Sequence, residues 1–404
     1  MAAERPRVVV TGMGMVSAAG DGIEAAWSAL TAGRPCLSRI QLFDPSGYNG
    51  VELGGEAQHL PRNGTPRGLQ LLGVAADEVL TDAGWGEAQR GPRTAVVLGT
   101  CQGDIGDAEE IHRRFDDRPQ PWPSDENRSA FAGYRPGRGT AWLADRVGAT
   151  GPTSTVGMVC VSSSVAIVHA LDLLRRGEAD RVICGGFEVF SQFVFTGFWC
   201  IGALASGPLR PFDEARDGTV LGEGAVLMTL ETEASAKARG ARIRGEILGG
   251  GYAADAFHMT APDPDGGGLQ RAVRQALADA GLGPADIDYV CAHGTGTRFN
   301  DAMEAKAFGA LFGELAAEGT MPPISGLKSV FGHTLGAAGA LDAAMSIRAL
   351  EEGLLPPTAS HDSGIAEFDF VPGAARPADS LRVALSTNSA FGGNNSALLV
   401  GAAS

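Results

Sequence analysis

The sequence predicts an α/β fold in which one order of strands and helices occurs twice. Three observations predict it. Strand-like apolar runs alternate with helical runs along the chain. The strand runs are apolar throughout, which suits strands covered on both faces. Short stretches of the first part also reappear, in the same order, in the second.

The elements follow in order. RVVVTGMG (7–14) reads as a strand and Gly22 to Leu30 as a helix. Leu69 to Ala83 is a helix closed by Gly84, a residue suited to a left-handed helix end. RTAVVLGT (93–100) is a strand. The segment 105–139 is polar and rich in Pro, Arg and Asp, so it reads as a surface insertion with helix near Ala108–Phe115. Ser162 to Arg176 is a helix ended by Gly177, and RVICGG (181–186) is the next strand.

The internal echo has two parts. EVLTDAG (78–84) leads into the strand VVLGT, and QALADAG (275–281) leads into YVCAHGTGT. TVGMVC (155–160) opens an apolar helix ending RRG; SGLKSVFGH (325–333) opens one ending EEG. Residues 1–240 and 241–404 therefore read as two copies of one unit. Cys160 and His333 fall at equivalent places, each at the start of a buried helix. His293 follows the strand IDYVCA. Ligands of open α/β sheets collect at carboxyl ends of strands, so these three side chains are expected to converge.

Composition narrows the function. The chain has 404 residues, a net charge of −15 and 44% apolar residues. The acidic balance argues against nucleic-acid binding and against docking on anionic lipid. The N-terminus has no apolar signal core, which implies a cytoplasmic protein. Two long uncharged runs, Val147 to Leu171 and Val189 to Leu209, are interrupted by Ser162, Ser163, Ser164, Gln192 and Pro208. They read as buried core and not as membrane spans. The six cysteines show neither a CxxC pair nor metal-like spacing with histidine, so no metal site is expected. Gly12 and Gly14 fit the start of a dinucleotide fingerprint, but Ser17 stands at its third glycine.

The helix after Cys160 is apolar on nearly every face. Its N-terminus directs partial positive charge and free N–H groups at the thiol, which is expected to lower the thiol pKa. His293 and His333 lie in Gly-rich strand-to-helix junctions, with Lys328 five residues before the second. FGGNN (391–395) is a further Gly-rich turn whose N–H groups could meet an oxyanion.

Together GMVCVSSS, AHGTGT with Asn300–Asp301, GLKSVFGHTLGAAGA and FGGNN resemble the β-ketoacyl-acyl-carrier-protein synthases. RPFDEARDGTVLGEGA (210–225) and DAFHMTAPDPDG (255–266) are similar to the synthase II branch, and the likeness runs from Val8 to Val400. The resemblance implies a thiolase-like, duplicated five-layer α-β-α-β-α fold. It implies a decarboxylative Claisen condensation of malonyl carrier protein with an acyl group held on Cys160. His293 and His333 would assist decarboxylation and bind the enolate oxygen, with Lys328 ordering the charge around them. Cys160 and Phe391, with Gly392 in the same turn, would supply the oxyanion hole and gate. Thr295, Thr297 and Ser389 would contact substrate. Asp301, Glu304 and Asn395 would form a supporting network. No cofactor is implied, because substrates ride on the phosphopantetheine of acyl carrier protein.

The likeness also implies a dimer, either with a second copy or with a chain-length-factor-like subunit. A non-catalytic chain-length-factor role is the alternative reading, and such relatives usually lack the nucleophile present here. Coenzyme A-using thiolase-fold enzymes are a further alternative, disfavoured by the two-histidine pattern. Three departures, Val159 before the nucleophile, Thr100-Cys101-Gln102 beside the acyl pocket and Ser389-Ala390 in the gate, point to a specialised polyketide or polyene substrate. Acyl carrier protein is itself acidic, so docking needs a local basic patch. Arg62 and Arg67 are the expected patch, with Arg128, Arg135 and Arg138 adding to it.

Overall fold

A computed structural model describes residues 5–116, 134–378 and 380–403. Part of the 105–139 insertion, including Arg128, lies outside the described residues; Ile105–Asp116 is helical. The main sheet is built from β1 (Val8–Ser17), β2 (Thr94–Gly99), β3 (Thr153–Val156), β4 (Arg181–Glu188) and β5 (Gly224–Thr232) in the first half of the chain. The second half adds β6 (Gly245–Ala254), β7 (Tyr289–Cys291), β8 (Ile324–Ser325), β9 (Val383–Ala390) and β10 (Asn394–Ala402). Across the sheet they run β8-β7-β9-β10-β6-β1-β5-β4-β2-β3.

Each half has the same plan. The outer three strands of each half are parallel to one another, and the inner pairings are antiparallel. The halves meet where β1 pairs with β6 through only two residue pairs, Val9 with Glu246 and Val10 with Gly245. Helices Ser162–Arg175 and Ala338–Glu352 lie between the halves and are buried along almost their whole lengths. Helix Arg67–Asp82 covers β1 and β5 from outside, and Gly267–Ala280 covers β6 and β10. This is the five-layer arrangement, with one central core and one outer core per half.

The echo at 78–84 and 275–281 has an atomic cause. Beyond the short β1–β6 contact, the inner strands lose a neighbour, and their N–H groups need other acceptors. Glu78 accepts from Met15 N–H and Asp82 from Met13 N–H, both at 2.8 Å. In the second half Gln275 accepts from Tyr252 N–H at 3.2 Å and Asp279 from Gly250 N–H at 3.3 Å. The helices can come so close because the strands carry glycine. A Cβ on Gly14 would sit 2.3 Å from Ala75 O, and one on Gly251 would sit 2.3 Å from Ala272 O. The Gly12–Gly14 pair thus serves strand-to-helix packing and not a dinucleotide.

No described helix is long and apolar enough to cross a membrane. The two uncharged runs are instead split among strands, turns and the helices Ser162–Arg175 and Gln192–Cys200.

Arg67 corrects the expected docking patch. Its guanidinium is 7% exposed and pairs with the fully buried Glu223 at 2.6 Å. It also donates to Ala57 O (2.8 Å) and Leu60 O (3.0 Å). Glu223 in turn accepts from Ala57 and Phe190 N–H. Arg67 is therefore a clamp between its helix and the start of β5, unavailable to a partner; Arg62 and Arg135 are exposed. Removing one partner of such a pair strands a buried charge. Arg67→Glu is expected to destabilise the fold by about 3–5 kcal/mol, read as a lowered midpoint in urea denaturation. A midpoint equal to wild type would contradict the clamp.

Candidate active site

Cys160 lies in a single 3-10 turn, Val159–Val161, immediately before helix Ser162–Arg175. Val159 has φ 53°, an unusual conformation for a β-branched residue, and it turns the chain sharply just before the thiol. Ser162 locks this turn by donating to Val159 O at 2.6 Å and accepting from Met158 N–H at 2.8 Å. His333 approaches from the other half. Its N–H donates to Val220 O at 2.7 Å, and its Nε2 lies 3.2 Å from Cys160 Sγ. The His293 ring stands edge-on to that of His333, with centroids 5.1 Å apart.

Two residues not anticipated from the sequence complete this centre. Asp342, inside the buried helix Ala338–Glu352, accepts from Lys328 Nζ at 3.1 Å. Asn388 on β9 donates to the same Asp342 Oδ2 at 2.8 Å and points its Nδ2 at His293 Nδ1, 3.3 Å away. With an amide N–H at Nδ1, the His293 ring proton sits on Nε2, facing the cavity. A charged residue within a helix buried on all sides was the available sequence signal for Asp342.

The turn after β7 is held by carboxylates. Glu304 accepts from the N–H groups of His293 (2.8 Å) and Gly294 (2.7 Å), and from Asn300 Nδ2 (2.8 Å). Asp301 accepts from Gly296 N–H at 3.2 Å and from Phe212 N–H at 2.7 Å. The Thr295 and Thr297 hydroxyls are bonded to each other at 2.9 Å. Gly294 and Gly296 both have positive φ, which lets this loop fold tightly against its acids.

Cys160, His293 and His333 open into a cavity of about 550 Å³ that Thr295, Thr297, Ser389 and Phe391 also line. Ser389 donates to Asn395 Oδ1 at 2.7 Å, and Asn395 donates to Asp255 Oδ1 at 2.8 Å. Phe391 packs on Phe198 with ring centroids 5.3 Å apart. These two rings also border a second cavity of about 690 Å³, which Gln102 lines. Gly392 departs from expectation as an oxyanion donor: its N–H is committed to Met259 O at 2.8 Å. Cys101 lies at the end of β2, where its N–H and that of Gln102 both donate to the buried Glu188.

Burial dominates the electrostatics. It pushes the Cys160 thiol up to about 12, and Lys328 pulls back only part of that rise. The resting group is therefore the thiol, and the expected lowering by the helix terminus is overcome by desolvation. Burial, then the Lys328 charge, holds both imidazoles well below their usual 6.5, with His333 adding to the effect on His293. Both rings are neutral. Burial and the neighbouring Asp301 raise Glu304 to about 7.

Lys328 and Asp342 are 3% and 1% exposed, so neither charge can turn to solvent. Asp342→Ala is expected to cost about 3–5 kcal/mol of stability by leaving Lys328 unpaired, with Asp342→Asn intermediate. Denaturant titration of the two variants checks this; equal midpoints for both variants and wild type would contradict it.

Comparison with known proteins places these residues in context. The chain matches the family "Beta-ketoacyl synthase, N-terminal domain" over residues 5–236 and "Beta-ketoacyl synthase, C-terminal domain" over residues 244–362. It is 36% identical to the tetracenomycin polyketide synthase ketoacyl synthase alpha subunit of Streptomyces glaucescens, covering 98% of this chain and 96% of that protein. It is 33% identical to 3-oxoacyl-[acyl-carrier-protein] synthase 2 of Vibrio cholerae, covering 97% and 98%. Among solved structures, the ishigamide ketosynthase/chain length factor matches with a TM-score of 0.92 and 35% identity, over 99% of this chain and 100% of that one. With a thiol and two imidazoles meeting between duplicated halves, and with both family domains matched in order, the chain belongs to the β-ketoacyl synthase family of condensing enzymes.

Proposed function

We propose that this chain extends an acyl group held on Cys160 by decarboxylative condensation with malonyl carrier protein, within a polyketide-type pathway in the cytoplasm. The observation that carries the reading is the 3.2 Å contact between Cys160 Sγ and His333 Nε2, beside a neutral His293. The polyketide assignment is supported by the likeness to the tetracenomycin polyketide synthase subunit. The polar Gln102 on the wall of the second cavity adds to it.

In the first half-reaction, Cys160 Sγ attacks the carbonyl of the acyl thioester. Because the thiol is protonated at rest, His333 Nε2 takes its proton as the new S–C bond forms. The bond to the carrier's pantetheine sulfur breaks, and that sulfur leaves with the proton. In the second half-reaction, malonyl carrier protein enters past Thr295 and Thr297. The C–C bond to the carboxylate breaks, CO₂ departs, and the electron pair moves onto the thioester carbonyl as an enolate. His293 Nε2–H meets that oxygen, and His333 joins it in its Nε2–H form, the opposite neutral tautomer to the one that receives the thiol proton. Neutral donors held in place by Asn388 and by backbone bonds stabilise the new charge with little reorganisation. The enolate carbon then attacks the Cys160 thioester. Backbone N–H groups of Cys160 and Phe391 receive the oxyanion; its collapse breaks the C–S bond, releases the β-ketoacyl carrier protein and leaves a Cys160 thiolate that takes up one proton from water.

Phe391, packed against Phe198 between the two cavities, would turn aside to admit the acyl chain. Asp301, Glu304 and Asn395 act through the loops they hold. Arg62 remains the proposed carrier-docking residue, and a second synthase-type subunit the proposed partner.

Incubation with acyl carrier protein is expected to place the acyl mass on the Cys160 peptide, with no transfer in Cys160→Ala. Absence of acylation, together with tight binding to a second synthase chain, would instead indicate a scaffolding role. The pH profile gives a separate check. Protonation of His333 would remove the acceptor for the Cys160 proton. Since both rings are held well below 6.5, condensation rates are expected to stay level as pH falls through 6.5. An acid limb centred at 6.5 would contradict the buried, neutral pair.

A further inference from the structure

The catalytic cavity contains a polar group that none of these steps uses. Thr219 lines the same cavity as Cys160, His293 and His333. It is 1% exposed, and its Oγ1 has no hydrogen-bond partner among the described residues. The other hydroxyls named above are engaged: Thr295 with Thr297, and Ser389 with Asn395.

The backbone fixes where this hydroxyl sits. Thr219 N–H donates to Ala203 O, and Thr219 O accepts from Ala205 N–H, both at 2.8 Å. The next residue, Val220, accepts from His333 N–H at 2.7 Å. On the other side, Gly218 O lies so close to Gly296 that a Cβ there would meet it at 2.7 Å. Thr219 is therefore clamped between the turn bearing His333 and the turn bearing Thr295 and Thr297. An unsatisfied buried hydroxyl weakens a fold, and where such a group persists beside a reacting centre it signals a ligand that completes it.

We propose that Thr219 is a substrate-contacting residue whose hydroxyl donates to an oxygen of the malonyl unit. The inference rests on the condensation reading of this site. In that reading the reacting thioester carbonyl of the loaded acyl group is already assigned to the Cys160 and Phe391 N–H groups. At the reacting centre the malonyl unit brings the other acceptors, a thioester carbonyl and a carboxylate. Both are oxygen acceptors for the same donor, and kinetics separate them. A bond to the carboxylate exists only before CO₂ leaves, so its loss raises KM and spares kcat. A bond to the carbonyl strengthens as the enolate forms, so its loss lowers kcat as well.

The test is Thr219→Val, which keeps the branched shape and removes the hydroxyl, with Thr219→Ser as the rescue. Thr219→Val is expected to lower kcat/KM for malonyl carrier protein about tenfold. Acylation of Cys160 by acyl carrier protein should stay within about twofold of wild type, because that half-reaction precedes malonyl binding. The melting temperature should hold or rise, since a buried polar group without a partner has been replaced by a methyl. Thr219→Ser should recover most of the loss. Unchanged malonyl kinetics in Thr219→Val would overturn the assignment. So would an equal loss in acylation, which would place the hydroxyl on the shared pantetheine arm, or a lowered melting temperature, which would make it a structural group. Failure of the wild-type protein to acylate Cys160 would instead reject the condensation reading itself.

Discussion

The whole arrangement depends on how closely two buried helices approach at their N-terminal ends. Gly339 opens the second helix against Ser164 near the start of the first, and a Cβ on Gly339 would fall 2.7 Å from Ser164 Cβ. Ser163 Oγ accepts from Ala340 N–H at 2.9 Å, tying the two ends together. Neither helix has a solvent face to which it could retreat. Because the ends are locked, the residues just ahead of them must meet, and those residues are Cys160 and His333. The second half of the sheet then supplies His293, just after β7, and Asn388 from the neighbouring β9, and the close contact between halves becomes the proposed reaction centre.

The charge pattern of that centre follows from its burial. Lys328 stands among neutral imidazoles, directly paired with Asp342, while Asn388 shares the same carboxylate oxygen. Lys328 discourages a second positive charge on either histidine and partly offsets the cost of ionising Cys160. One buried cation thus acts on both imidazoles and on the thiol in the sense that the proposed condensation needs. The helix terminus at Cys160 contributes its N–H groups and geometry, while desolvation decides the protonation state.

What was legible in the sequence was local or periodic. The duplicated order was readable because Glu78–Asp82 and Gln275–Asp279 must cap strand N–H groups in both halves, a demand that leaves the same residue spacing twice. Cys160, His293 and His333 stood out because each lies in a small-residue turn beside an apolar helix or strand. What was not legible depended on partners distant along the chain. Arg67 looks like any arginine ahead of a helix until Glu223, from the far side of the first half, closes on it. The commitment of Gly392 N–H to Met259 O required knowing which two loops touch. The thiol's protonation state required knowing how completely Cys160 is enclosed.

The glycine pairs on the inner strands bear on how such a chain can diversify. Gly12 and Gly14 in one half, and Gly249 and Gly251 in the other, admit no side chain because helix backbone fills that space. Mutation is therefore barred at the seam between each inner strand and its outer helix. It is far freer at the strand ends, where side chains face a cavity instead of a backbone. A frame that is rigidly symmetric in its middle can in this way carry unlike groups at its tips. One half came to hold a thiol, the other imidazoles, and the inherited symmetry of the scaffold delivered them to a common point from opposite sides.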